Sequence, residues 1–221
     1  MNTLASMVFL NRGGRFEARE LPREAQWSPG FGVSVGDVDG DGQEDVFVSQ
    51  NFFAVNGEMS RCDAGRGLWL MGDGHGGLRV VSGPESGVQV YGEGRGCALG
   101  DYDGDGRIDL VVSQNGAETK LYHNVGAKVG LRVRLKGGVN NPAGVGGQIR
   151  LKSGEKLGLV REVKSGSGYW SQEGSVQVMG LKEEVTGIWV RWPGGKVVSG
   201  DISKGAKEIE VSENGQIKLV R

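Results

Sequence analysis

Two stretches of the chain crowd carboxylates at a spacing that suits a cation. Asp37 to Asp45 reads DVDGDGQED and Asp101 to Asp109 reads DYDGDGRID, so each places Asp at positions 1, 3, 5 and 9 of a nine-residue loop, with Gly at 4 and 6. Carboxylates converging this closely repel one another unless a cation lies between them. An all-oxygen set suits a hard, large ion, and Ca2+ takes roughly 6 to 8 oxygens at about 2.3 to 2.6 Å. The sequence therefore assigns two Ca2+ sites, one on Asp37, Asp39, Asp41 and Asp45, the other on Asp101, Asp103, Asp105 and Asp109. The position-7 carbonyls of Gln43 and Arg107, with water, are expected to complete the shells. A solvated acidic turn without metal is the bland alternative; two copies with identical carboxylate spacing argue against it.

The elements that hold these loops are strands. An EF-hand needs a Glu at position 12 and flanking helices, whereas position 12 here is Val48 or Val112 and the flanks, Val33 to Val35 and Val46 to Val48, are β-type. The two loops are related by an offset of 64 residues, and the match extends from Val35-Gly36 on Leu99-Gly100 to Ser49-Gln50-Asn51 on Ser113-Gln114-Asn115. Val8 to Asn11, Leu68 to Met71 and Leu121 to Asn124 are three versions of one further strand, the first two followed by a turn and another strand. The repeating unit is thus four antiparallel strands with the acidic loop between the first and second, which is a propeller blade. Residues 32–82 make one full blade, 1–20 the outer half of the blade before it and 96–124 three strands of the next. The segment Asn51 to Gly67 is a long connection carrying Phe52 and Phe53, readable as a binding loop or as packing over the blade edge.

From Gly130 the pattern changes. Leu131 to Leu135 alternates, Asn140 to Gly147 is a turn, and strands are expected at Gln148 to Leu151, Gly158 to Val163, Ser175 to Met179 and Gly187 to Trp192. A last hairpin runs from Glu208 to Val220 through Asn214-Gly215. The expected organisation is a propeller portion, residues 1–128, and a compact β-rich domain, residues 129–221.

Composition supports an all-β chain: 42 glycines but only 5 prolines among 221 residues imply many tight turns between short strands. Net charge is −1, yet residues 1–128 hold 11 basic and 18 acidic side chains and residues 129–221 hold 15 and 9. The basic half has no run of Arg or Lys, so it reads as a solvated surface and not as a nucleic-acid footprint. No stretch is apolar enough to span a membrane, and no export signal is read at the N-terminus. Cys62 and Cys97 allow one disulfide, but Cys97 alternates with Leu99 and reads equally as a buried thiol.

Catalytic motifs are formal only. Gly72 to Gly77 matches GxGxxG and Gly32 to Gly36 matches GxSxG, but both motifs require a following helix, and strands follow here. His75 and His123 read as isolated surface residues. Trp170, Trp189 and Trp192 could form a sugar-stacking platform; core packing is the preferred reading.

The acidic loops and the Leu-Tyr-His-Asn strand resemble FG-GAP/VCBS repeats. GLRVRLKG, NNPAGVGGQIRL, REVKSGSGYWSQ and IWVRWPGGKV resemble the ASPIC/UnbV domain that follows such repeats in the cartilage acidic protein family, while SVQVMGL departs from that family's usual His-Phe-Gly-Leu-Gly. The resemblance implies a partial β-propeller of about two and a half four-stranded blades followed by a small β-rich ASPIC/UnbV domain. It implies metal ligands at the eight aspartates named above, and an extracellular or periplasmic location. The expected function is a calcium-stabilised, non-enzymatic binding or adhesion module for a protein or glycan ligand. The alternative is a carbohydrate-binding or accessory segment of a larger secreted enzyme or adhesin. Since propellers close with about 4 to 8 blades, upstream blades or self-association are expected to complete the ring, with Val33 and Val35 facing the missing neighbour.

Overall fold

The β-branched runs around both acidic loops form strands, and the computed structural model describes residues 3–181 and 184–221. The first hairpin pairs β1 (Met7–Asn11) with β2 (Phe16–Glu20). A four-stranded antiparallel meander follows, β3 (Gly30–Gly36), β4 (Asp45–Gln50), β5 (Leu68–Gly72) and β6 (Leu78–Val81), in that spatial order. After a single helical turn, α1 (Gly83–Ser86), the pattern restarts with β7 (Glu93–Gly100), β8 (Asp109–Asn115) and β9 (Ala117–Tyr122). The first acidic loop joins β3 to β4 and the second joins β7 to β8, each pair in register up to the loop, with Gly36 opposite Asp45 and Gly100 opposite Asp109.

These two sheets pack on one another through an unusually close strand pair. In β3 it is Gly32, Ser34 and Gly36 that are buried, while Val33 and Val35 are 45% and 36% exposed. A Cβ on Gly32 would lie 2.5 Å from the Arg95 carbonyl oxygen, and one on Gly36 would lie 2.6 Å from the Leu99 side chain. Small residues on the inward face are thus what lets β7 approach; larger ones would force the sheets apart. Behind this contact Phe47, Trp69, Val90, Cys97, Leu99, Leu110 and Val112 form a core, with the Phe47 and Trp69 rings 4.9 Å apart. Burial of Phe47 is complete, and Phe47→Ala would cost about 3 to 5 kcal/mol.

The remainder forms two further sheets. One has the order β14 (Gln177–Met179), β10 (Leu131–Lys136), β17 (Glu208–Ser212), β18 (Ile217–Leu219), with β10 and β17 parallel. The other has the order β12 (Lys156–Leu157), β11 (Gln148–Ser153), β15 (Gly187–Arg191), β16 (Val197–Asp201), and β13 (Arg161–Glu162) also pairs with β11. Val133, Leu135, Ile149, Ile188, Val190, Trp192, Ile209 and Val211 fill the space between them.

Three sequence expectations change, and one left open is decided. The strand expected over 158–163 survives only as Arg161–Glu162, because the backbone N–H of Gly158 bonds the Leu151 carbonyl at 2.9 Å and the next two residues bulge away from β11. The strand Val197–Asp201 was unforeseen; it returns along β15 after Gly194 and Gly195 turn the chain with φ of 84° and 91°. Trp192 is core as expected, but Trp170 is 92% exposed at the tip of a turn. Both cysteines are free thiols, Cys97 buried against the Ser34 hydroxyl at 3.4 Å. The GxGxxG stretch is the hairpin turn between β5 and β6, and the GxSxG stretch lies within β3.

Candidate functional site

Each acidic loop is closed by its own carboxylates. Asp37 Oδ1 accepts the N–H of Asp41 at 3.0 Å and its Oδ2 that of Gly42 at 2.9 Å; Asp101 does the same for Asp105 at 3.1 Å and Gly106 at 2.8 Å. Asp39 and Asp103 each accept from the position-5 N–H, and Asp41 and Asp105 from that of position 7. The turn needs glycine where it reverses, with φ of 74° and 84° at Gly40 and Gly42, and 79° and 87° at Gly104 and Gly106. The position-9 aspartates act as clips. Asp45 takes the N–H groups of Val38 and Gly72, both at 2.9 Å, and Asp109 takes those of Tyr102 at 3.1 Å and Asn124 at 2.8 Å, tying the loop start to the strand that follows the next turn.

Carboxylate oxygens of Asp37, Asp39 and Asp41 lie within 4.8 Å of one another, as do those of Asp101, Asp103 and Asp109. Asp105 belongs instead to an overlapping group with Asp103 and His123, and Asp45 stands outside the first triplet. Burial raises the Asp37 carboxyl above its ordinary value, aided by the charges of Asp39 and Asp41, and pushes Asp45 up to about 6 against the pull of its two N–H donors. Asp109 is raised by burial as well. An oxygen that accepts one N–H keeps a second lone pair, so these groups fit a hard cation between them. The Arg107 side chain turns to other partners: it pairs with Asp105 at 2.5 Å and donates to the Ala127 carbonyl at 2.8 Å.

The loops differ in the cations already present. In the second, Arg132 of β10 bonds Asp101 directly while its Nε donates to Glu208 at 2.9 Å, and all three side chains are at least nine-tenths buried. Arg221 donates to the Gly104 carbonyl at 2.7 Å, and His123 Nε2 lies 3.1 Å from Asp103. In the first, no ion pair among the described residues reaches Asp37, Asp39, Asp41 or Asp45. The segment after β14 covers it instead: a Cβ on Gly180 would fall 1.9 Å from Asp37 Oδ2.

Of the eight aspartates that sequence reasoning named as ligands, six converge in the two triplets, while Asp45 and Asp105 stand outside them; the reasoning missed Arg132, Asn124 and Gly180, and it took His123 for an isolated surface residue. Asn124 bridges the two loops, its amide donating to the carbonyls of Val38 at 2.7 Å and Ile108 at 3.0 Å. Its signal was present, since Asn closes both the Val-Phe-Leu-Asn and Leu-Tyr-His-Asn strands, and each of these Asn side chains accepts the N–H two residues on. Arg132 had no local signal, because its partners are 31 and 76 residues away.

Residues 137–218 match the family model described as ASPIC and UnbV. The chain is 25% identical over 202 residues to cartilage acidic protein 1 of Homo sapiens, covering 86% of this chain and 29% of that protein. It is 30% identical over 130 residues to cartilage acidic protein 1 of Xenopus tropicalis, covering 55% of this chain and 20% of that protein. The chain therefore spans less than a third of the length of the curated relatives it matches. No helix among the described residues is long and apolar enough to cross a membrane.

Proposed function

We propose that the chain is a non-enzymatic, extracytoplasmic binding module in which Ca2+ stiffens propeller blades of FG-GAP/VCBS type next to an ASPIC/UnbV domain. The observation that carries this reading is the repetition of one acidic loop, at one position in two successive antiparallel sheets, with three carboxylates converging in each. Asp37, Asp39 and Asp41 would hold one ion, and Asp101, Asp103 and Asp109 the other. The ion supplies positive charge that the converging carboxylates otherwise lack. The first loop is the tighter site, since a cation in the second must share Asp101 with Arg132.

At about tenfold excess over its Kd, a ligand that binds only the folded state stabilises it by about 1.4 kcal/mol. Calorimetry with Ca2+, and melting in EGTA against about 1 mM Ca2+, tests this: two binding events and a raised melting temperature are expected. Asp103→Ala should remove only the weaker event. An unchanged melting curve with no Ca2+ uptake refutes the proposal.

Trp170 favours a second reading, a glycan-binding module. It is exposed on a turn next to Tyr169, whose ring packs edge-on against Phe31 at 5.6 Å, so a flat ring is presented on a fixed base. Glycan-array binding lost in Trp170→Ala would select it.

A further inference from the structure

A cleft of about 520 Å3 separates the first acidic loop from the edge of the β11 sheet, a size within the ordinary range of small-molecule sites. One wall is Asp37 and Gly42 to Glu44, and the other is built from β11, β12 and the bulge that follows. The end of β12 and the bulge place Leu157, Leu159 and Val160 along the cleft at 46%, 49% and 44% exposure, joined by Met179 and Val185. Three half-exposed aliphatic residues within four positions are a standing cost in water that an apolar ligand would relieve.

The charges around this apolar strip are divided between the two walls. On the loop wall Glu44 lies 3.0 Å from Arg161, and Asp37 accepts the N–H groups of its own loop. Lys152 and Lys156 also line the cleft and have no acidic partner among the described residues, nor does Arg150, which lies over the Trp189 ring at 5.9 Å. An apolar strip beside ammonium groups that have no acidic partner among the described residues matches a ligand with an aliphatic body and one anionic end.

We propose that this cleft binds a small amphipathic carboxylate, its chain on Leu157, Leu159 and Val160 and its acid group on Lys152 and Lys156. This names a ligand class for the binding module proposed above, and it needs no ion in either loop.

Decanoate, kept below its micelle-forming concentration, is titrated into the full chain by calorimetry, once in Ca2+ and once in EGTA. Saturable binding at one site is expected, with decanol and decylammonium weaker by about tenfold or more, since each loses or reverses the charge. Lys152→Gln with Lys156→Gln, at positions that cannot disturb the core, should weaken decanoate by about tenfold, and Leu157→Ser with Leu159→Ser should do likewise. Absence of saturable decanoate binding overturns the proposal, as do equal binding of decanol or indifference to both double substitutions. Ca2+ uptake without decanoate binding leaves the loop reading standing and removes this one; decanoate binding without Ca2+ uptake does the reverse.

Discussion

Arg132→Met isolates the contact through which the second acidic loop is held against the β10 sheet. The arginine side chain is 10% exposed and its two carboxylate partners, Asp101 and Glu208, are 0% and 5% exposed, so the substitution leaves two buried acids without their shared cation. Removing one partner of a buried pair costs about 3 to 5 kcal/mol. The lower end applies, because Asp101 keeps the N–H groups of Gly104, Asp105 and Gly106, and Glu208 keeps Arg134 at 3.3 Å and Arg221 at 3.4 Å, both half-exposed. For a chain of this size about 3 kcal/mol corresponds to a fall in melting temperature of about 6 to 12 °C. Near-ultraviolet circular dichroism in EGTA measures it, and a fall below about 2 °C would show that the buried triad carries no net stability.

The same variant tests two dependences. Calcium should narrow the deficit, because an ion among Asp101, Asp103 and Asp109 takes over the charge that the guanidinium supplied; a deficit unmoved by Ca2+ would count against the second loop as a cation site. The pH dependence follows from Glu208. Burial raises its carboxyl, but the bonds from Arg132 and Arg134 outweigh that and hold it below its ordinary 4.5. A depressed carboxyl contributes stability that is complete above the unfolded value and lost as pH falls through the folded one. The gap between the native chain and Arg132→Met should therefore be full at neutral pH and shrink below about 4.5.

Asn124→Ala removes two hydrogen bonds, donated by the side-chain amide, that join the loops, and urea denaturation should show a loss of about 1 to 3 kcal/mol. Gly180→Ala drives a methyl group into Asp37 Oδ2, so calorimetry should show the tighter Ca2+ event weakened while the weaker one persists. Thiol titration should find two free groups in denaturant and slow reaction at Cys97 in the folded chain, since burial both shields that thiol and raises its pKa.

What was legible in the sequence is what short-range chemistry writes there. Each loop closes by bonds spanning two to seven residues, within reach of one motif, so the two loops and their enabling glycines could be placed from spacing, whereas which three carboxylates converge in each could not. The strand, acidic loop, strand unit was legible because it recurs. Where partners are distant, the pattern carried no trace. The orientation of β3 illustrates the difference: Val33 and Val35 look like the core face by hydropathy, yet Gly32, Ser34 and Gly36 turn inward, because a neighbouring strand comes too close for a branched side chain. That inversion could be read only with β7 in place, since the steric limit is set by the Arg95 backbone and the Leu99 side chain, not by anything within β3. It also changes what the exposed valines mean. They lie on the face of β3 opposite the contact with β7, so the small residues between them, and not the valines, set how close the two sheets come.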